Sequence, residues 1–223
     1  PYLCHIIKRV MRIFTVLFVI VFSFIKTYCA NEFHLSGLQV LMQENGLANN
    51  TLLEIHQDKV GFLWLGTDVG ISRYDGIHFH NYSLKGNEPQ AVKRICEAEK
   101  DGLLWLKTDN NSAACFDKST GCFIQLESTD SIFLNDIRDL SMADSVLYAI
   151  TSKGLSRVDY LKQKESILIT PTILIEHRLS LVKLHEDKTY LYATDEESNV
   201  VIFNKRTQRK DILEFKVNLP HTN

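Results

Sequence analysis

A chain of 223 residues that is 45% hydrophobic and 23% charged has enough apolar side chain to bury a core, which excludes a disordered or low-complexity protein. The formal net charge is −2; four cations, Lys8, Arg9, Arg12 and Lys26, fall in the first thirty residues, which hold no acid, and without those four the charge is −6. So acidic a remainder argues against nucleic acid as a partner, because phosphate backbones are held by basic surfaces.

The first predicted element is a targeting signal over residues 1–30. Lys8, Arg9 and Arg12 precede the apolar run Ile13–Ile25, and a short polar stretch leads to the small residue Ala30. The run has 13 residues, fewer than the roughly 18 that a membrane-crossing helix needs, so a cleaved signal peptide is expected and an uncleaved anchor is the lesser reading. Met11 is the natural start, since residues 1–10 show no structural pattern. Cys29 does not suit a lipoprotein signal, because bulky Tyr28 stands before it. Residues 32–42 are expected to form an outer strand that closes a ring against a last blade.

The remaining chain, 31–223, is organised by a repeat. Residues 52–83 and 92–127 are two copies of one unit: Ile55 matches Ile95, Gly61 matches Gly102, and LWLGT ending at Thr67 matches LWLKT ending at Thr108. Two weaker copies follow from Ile137 and Leu181, with Tyr148 and Tyr192 in place of Trp64 and Trp105; the four aromatics recur every 41 to 44 residues. Each unit contains four short runs rich in β-branched and aromatic residues. In the first these are 52–57, 62–67, 70–74 and 79–83, separated by the turn chemistry of Asp58 to Gly61 and of Asp75-Gly76. Such runs are too short for stable helices. Four strands per repeat of this length predict an all-β fold, a β-propeller with about four four-stranded blades near 46–83, 89–127, 134–168 and 179–215, out of a ring expected to hold seven. The closing LPHTN resembles GLANN at residues 46–50 and reads as the start of a fifth blade.

The remaining motifs favour structure over chemistry. Trp64 and Trp105 could stack on sugar rings, but their place in an apolar strand reads as blade packing. Arg73, Tyr74 and Asp75 could be polar ligands; Asp75-Gly76 reads rather as a turn with Arg73 paired locally. His78 and His80 lie two apart on one strand face without an evident third metal ligand. Asp109, Asn110 and Asn111 lack the spacing of a calcium loop and read as a turn. The run Gly61–Gly70 lacks the Lys of a phosphate loop, and the three Asn-x-Ser/Thr matches read as turn asparagines. Cys96, Cys115 and Cys122 remain after cleavage, an odd number; a Cys115–Cys122 bridge is one reading and separate thiols the preferred one. Neither a nucleophile motif nor a carboxylate pair can be placed, so no catalytic residue, metal or cofactor is expected, and the ligand-contacting residues are not legible.

Ile55, Asp58, Gly61, Leu63, Trp64, Gly66, Thr67, Gly70, Arg73, Tyr74, Asp75, Gly76 and Phe79 follow in order the pattern of the two-component regulator propeller repeat, which this unit closely resembles. The second unit keeps Gly102, Leu104, Trp105, Thr108 and Asp117 but has Lys107 for the glycine, and the last two keep little beyond spacing, Gly154, Leu155 and Arg157. With a signal peptide in front, the chain resembles the start of a hybrid two-component sensor. That resemblance implies a periplasmic part that binds an oligosaccharide and dimerises. It also implies a missing C-terminal part that is anchored in the inner membrane and bears a histidine kinase and a DNA-binding region. A secreted propeller enzyme acting on polysaccharide and a protein-binding scaffold are the alternatives, since a fold does not fix a function.

Overall fold

The computed structural model describes residues 39–84, 90–176, 181–196 and 199–213. The chain divides into two compact units, residues 1–40 and 41–223. Of the first only Gln39 and Val40 are described, so the expected signal peptide lies outside the described residues. So does most of the expected outer strand at 32–42; its last residues, 39–42, are in no strand and lead into a 3-10 turn at Gln43–Asn45.

The second unit is all β. Its sixteen described strands fall into four antiparallel meanders. Blade one is β1 (Leu52–Gln57), β2 (Leu63–Thr67), β3 (Gly70–Tyr74) and β4 (Phe79–Tyr82). Blade two is β5 (Val92–Ala98), β6 (Leu103–Thr108), β7 (Ala113–Asp117) and β8 (Cys122–Ser128). Blade three is β9 (Asp139–Ala143), β10 (Val146–Thr151), β11 (Gly154–Lys162) and β12 (Ser166–Glu176). Blade four is β13 (Leu181–Glu186), β14 (Tyr190–Asp195), β15 (Val200–Asn204) and β16 (Lys210–Leu213).

The second strands of blades one, two and three are largely apolar and buried on both faces because they are sandwiched, whereas β14 alternates buried with half-buried residues. Trp64 stands opposite His56 in the β1–β2 ladder, and Trp105 stands opposite Cys96 in β5–β6. The aromatics face the next blade. Trp64 and Ile71 pack on Val92, Ile95, Leu104, Leu106 and Phe116 of blade two; Trp105 and Cys115 pack on Leu140, Leu147, Ala149 and Val158 of blade three; Tyr148, Ile150 and Leu155 pack on Leu184, Leu191, Ala193 and Phe203 of blade four. A residue thus owes its burial to its neighbours and not to its type: Ile95 is 4% exposed between blades one and two, while its repeat-mate Ile55 on the outer face of blade one is 59% exposed.

The same ladder irregularity, between Leu52 and Glu54, Val92 and Arg94, and Leu181 and Lys183, recurs at the start of β1, β5 and β13. A bulge there bends the innermost strand at the same point of blades one, two and four, while the β9–β10 ladder of blade three is regular.

Blade three departs from the repeat. Its outer hairpin is long, and Ser166–Ile169 of β12 pair in parallel with Gln125–Ser128 of β8, which joins blades two and three into one eight-stranded sheet. β12 therefore continues to Glu176, past residue 168 where the repeat spacing ends the third unit. The run SILITPTILIE is almost continuously β-branched and apolar, as a strand paired on both sides should be. Pro171, which has no N–H to give, lies just beyond the pairing with β8.

Candidate functional site

The first strands of the four blades meet around a funnel of about 540 Å3, lined from blade one by Glu54 and His56, from blade two by Arg94, Cys96 and Glu97, from blade three by Ser141 and Met142, and from blade four by His185 and Glu186. The ladder registers stack these residues in layers. Glu54, Arg94, Asp139 and Lys183 oppose equivalent positions of the second strands, as do His56, Cys96, Ser141 and His185 one step further along. The first layer alternates in charge from blade to blade, acid, base, acid, base.

Arg94 occupies the centre of that layer. Its Nε donates to the carbonyl of Leu140 at 3.1 Å and its Nη2 to that of Leu184 at 2.9 Å, so one guanidinium from blade two grips blades three and four. It lies 3.7 Å from Asp139 and 3.9 Å from Glu54. Asp139, almost fully buried, accepts the backbone N–H of Leu184 at 2.9 Å. Burial pushes the Glu54 carboxyl above its ordinary range, although Arg94 pulls it back. Burial raises Glu186 too, opposed by Lys205. Lys107, behind Arg94, is lowered by burial and by the charge of Lys93.

A second network closes the seam between blades one and two. Asp58 accepts the indole N–H of Trp64 at 2.9 Å and the backbone N–H groups of Val60, Gly61 and Phe62, each at 3.0 Å. Lys118 reaches from blade two to Asp58 at 3.4 Å and to Glu97, whose other oxygen lies 3.2 Å from His56 Nε2. Burial would raise Asp58, but the Trp64 and Lys118 hydrogen bonds prevail and its carboxyl is lowered.

The residues singled out by the repeat are distributed through this framework. Trp64 and Trp105 are buried between blades, as are Thr67 and Thr108. The Thr67 hydroxyl donates to Gly70 and the Thr108 hydroxyl to Ser112. Gly66 lies where an added Cβ would meet the Val92 carbonyl at 2.4 Å, and Gly70, at φ +131°, where one would meet the Tyr82 carbonyl at 2.3 Å. Gly61, Gly76 and Gly102 stand in turns with positive φ. Asp75 closes its turn by accepting from Ile77 and His78 N–H, and Tyr74 donates to Gly76.

Arg73 has a local partner in a ring: its guanidinium stacks 4.7 Å from the centre of Phe62, diagonal to its ladder partner Trp64, and among the described residues it makes no ion pair. His78 and His80 are exposed, His80 being 4.0 Å from Asp75. Asp109, Asn110 and Asn111 form a turn in which Asn110 accepts from Thr108 and Ser112. Cys96, Cys115 and Cys122 are free thiols, and among the described residues no group of three His, Cys, Asp or Glu could hold a metal.

Of the repeat residues Asp58 and Ile95 reach the funnel lining, while the glycines, Trp64, Trp105, Thr67, Thr108, Arg73, Tyr74 and Asp75 do not. The other lining groups of the first strands include two register levels, that of Glu54 and Arg94 and that of His56, Cys96, Ser141 and His185, and aligning the four first strands would have exposed them. Chemically the funnel offers hydrogen-bond acceptors, a guanidinium and imidazoles. Its thiol is no nucleophile, since burial pushes Cys96 up to about 12.

No protein-family model matches the chain. Over 80 residues it is 31% identical to Histidine kinase P4 of Formosa agariphila, a stretch that covers 36% of this chain and 6% of that protein. The extracellular domain of the putative hybrid two component system BT3049 from B. thetaiotaomicron superposes with a TM-score of 0.59 at 21% identity, over 79% of this chain and 26% of that one. The Cps50 (Swd1) beta-propeller domain of Myceliophteria thermophila superposes at 0.50 and 10% identity, over 74% of this chain and 56% of that one. The fold is a β-propeller, and the resemblance to two-component signalling proteins is present in both sequence and structure. The chain spans only a small fraction of the kinase and about a quarter of the BT3049 domain. Among the described residues no helix is long and apolar enough to cross a membrane.

Proposed function

We propose that this chain is a ligand-recognition propeller from the extracytoplasmic part of a two-component signalling protein, and that its ligand is an oligosaccharide. The observation that carries this reading is the funnel: an open, polar hollow to which all four first strands contribute. Its hydrogen-bonding groups are held in place by blade-to-blade contacts and include no activated nucleophile. Polyhydroxylated ligands suit such a surface, because carboxylates raised by burial, imidazole and guanidinium can each pair with sugar hydroxyls. The basic, apolar N-terminal stretch supports export to the periplasm, and the likeness to Histidine kinase P4 supports a kinase elsewhere in the parent protein. Occupancy would then act on a homodimer anchored in the inner membrane, with no catalytic role for these residues and no cofactor.

Ligand binding to one place spanned by four blades raises unfolding temperature by mass action. Thermal unfolding of the purified chain across a panel of neutral and acidic oligosaccharides should show a rise with at least one of them. That rise should vanish in His185→Ala, whose exposed imidazole lines the funnel with no hydrogen-bond partner among the described residues. A rise that persists in His185→Ala, or turnover of an added saccharide, would overturn the assignment.

A further inference from the structure

A second hollow, of about 500 Å3, opens at the same end of the strands as the funnel mouth. Three turns build it: Asp144 comes from the β9–β10 turn, Lys188 and Thr189 from the β13–β14 turn, and Asn204 to Thr207 from the β15–β16 turn. Three cations and one acid face it, in a chain whose net charge is negative.

The Lys205 ammonium is seated, not free to wander. Its side chain is 8% exposed, its Nζ donates to the Asp187 carbonyl at 2.7 Å, and its carboxylate partner among the described residues, Asp144 at 2.8 Å, is itself 69% exposed. Lys188 and Arg206 have no acidic partner among the described residues. The two loops that carry them are pre-shaped by side chains: Asp187 accepts from the N–H groups of Thr189 and Tyr190, both at 2.7 Å, and Asn204 from those of Arg206 at 3.0 Å and Thr207 at 2.9 Å. Cations held on ordered loops lose little freedom when an anion arrives, which is what makes a site out of a charged patch.

We propose that this hollow is the anion subsite of the propeller and takes a carboxylate or sulfate group carried on a sugar. The Lys205 charge and the Arg206 fork receive the anionic oxygens, the threonine hydroxyls complete their hydrogen bonds, and exposed Asp144 gives way. Glu186 lines the funnel and Lys188 the hollow, two residues apart, so a short oligosaccharide can lie across both. The ligand is thus an acidic oligosaccharide, an assignment that rests on the sensor reading above.

The test is calorimetric titration of the whole chain with a galacturonic acid trisaccharide, a sulfated galactose trisaccharide, the neutral galactose trisaccharide and sodium sulfate alone. At least one acidic trisaccharide should bind about tenfold or more tighter than the neutral one. The advantage should shrink with added salt and disappear in the double variant Lys188→Gln/Arg206→Gln, both of whose sites are on exposed turns. Equal binding of acidic and neutral sugars, or an acidic advantage untouched by the double variant, overturns the anion subsite and leaves the sensor reading intact. Sulfate that binds the chain but not the double variant, with no saccharide binding, upholds the subsite and removes the oligosaccharide. Silence from all four probes overturns both.

Discussion

Blades one and two carry the same tryptophan at the same strand position and bury it equally, yet they complete it differently. In blade one the indole N–H of Trp64 ends on Asp58; in blade two the ladder puts Ala98 at the matching place, so Trp105 has no such carboxylate, and its N–H, near the Tyr160 hydroxyl, makes no well-aligned hydrogen bond among the described residues. Blade four repeats the blade-one solution with other atoms, since Asp187 accepts from Thr189, Tyr190 and the Tyr192 hydroxyl. Blade two gains its hold elsewhere. Gly66, which lets blade two approach blade one, is replaced by Lys107, and Asp75, in an exposed turn, is matched by buried Asp117, which Lys162 of blade three grips at 2.8 Å. The repeat therefore conveys where a strand goes, and each copy settles its own polar accounts with its neighbours.

The largest effect that would sharpen this contrast is at Gly66. Gly66→Ala drives a Cβ into the Val92 carbonyl and should cost about 3 kcal/mol in denaturant unfolding, whereas Lys107→Ala at the matching position should cost under about 1 kcal/mol. Arg94→Met should cost about 3 kcal/mol, because it strips a buried carboxylate, Asp139, of its cation and removes a donor from the Leu140 and Leu184 carbonyls. Glu54→Gln, at the equivalent place in blade one, should change stability by less than about 1 kcal/mol, since its carboxyl is only loosely paired at 3.9 Å. If both substitutions prove equally costly, the charge layer does not depend on Arg94 as described.

Next in size, Trp64→Phe should lose about 1–2 kcal/mol more than Trp105→Phe, because only the first leaves Asp58 short of a donor. Equal losses would mean that the Asp58 bond adds nothing to burial. The smallest effect is in the acid limb. Burial would raise Asp117, but the Lys162 and Ser119 hydrogen bonds bring its carboxyl from 3.8 down to about 2. A carboxyl lowered on folding contributes stability that is complete above about pH 4 and is lost as the pH falls toward 2. Melting temperature followed over that window should flatten more in Asp117→Asn than in Asp75→Asn, whose exposed carboxyl is lowered by the His78 and Ile77 N–H groups.

By itself the sequence determined the strands and their repetition. The alternation of β-branched runs with Gly and Asp turns acts within a few residues, so LWLGT, LWLKT and the turns around Asp58 and Asp75 are readable without knowing what lies beside them. Tertiary structure decided what each copy does with its position. The charge layer of Glu54, Arg94, Asp139 and Lys183 exists only because residues forty or more positions apart in sequence reach the same level of neighbouring first strands. The parallel joining of β8 to β12 is likewise set by which outer strand lies alongside. Burial follows the same rule: Ile55 and Ile95 are one residue in the repeat, and the hydrophobic effect separates them because it acts on the surface a neighbour covers, which no local pattern of residues records.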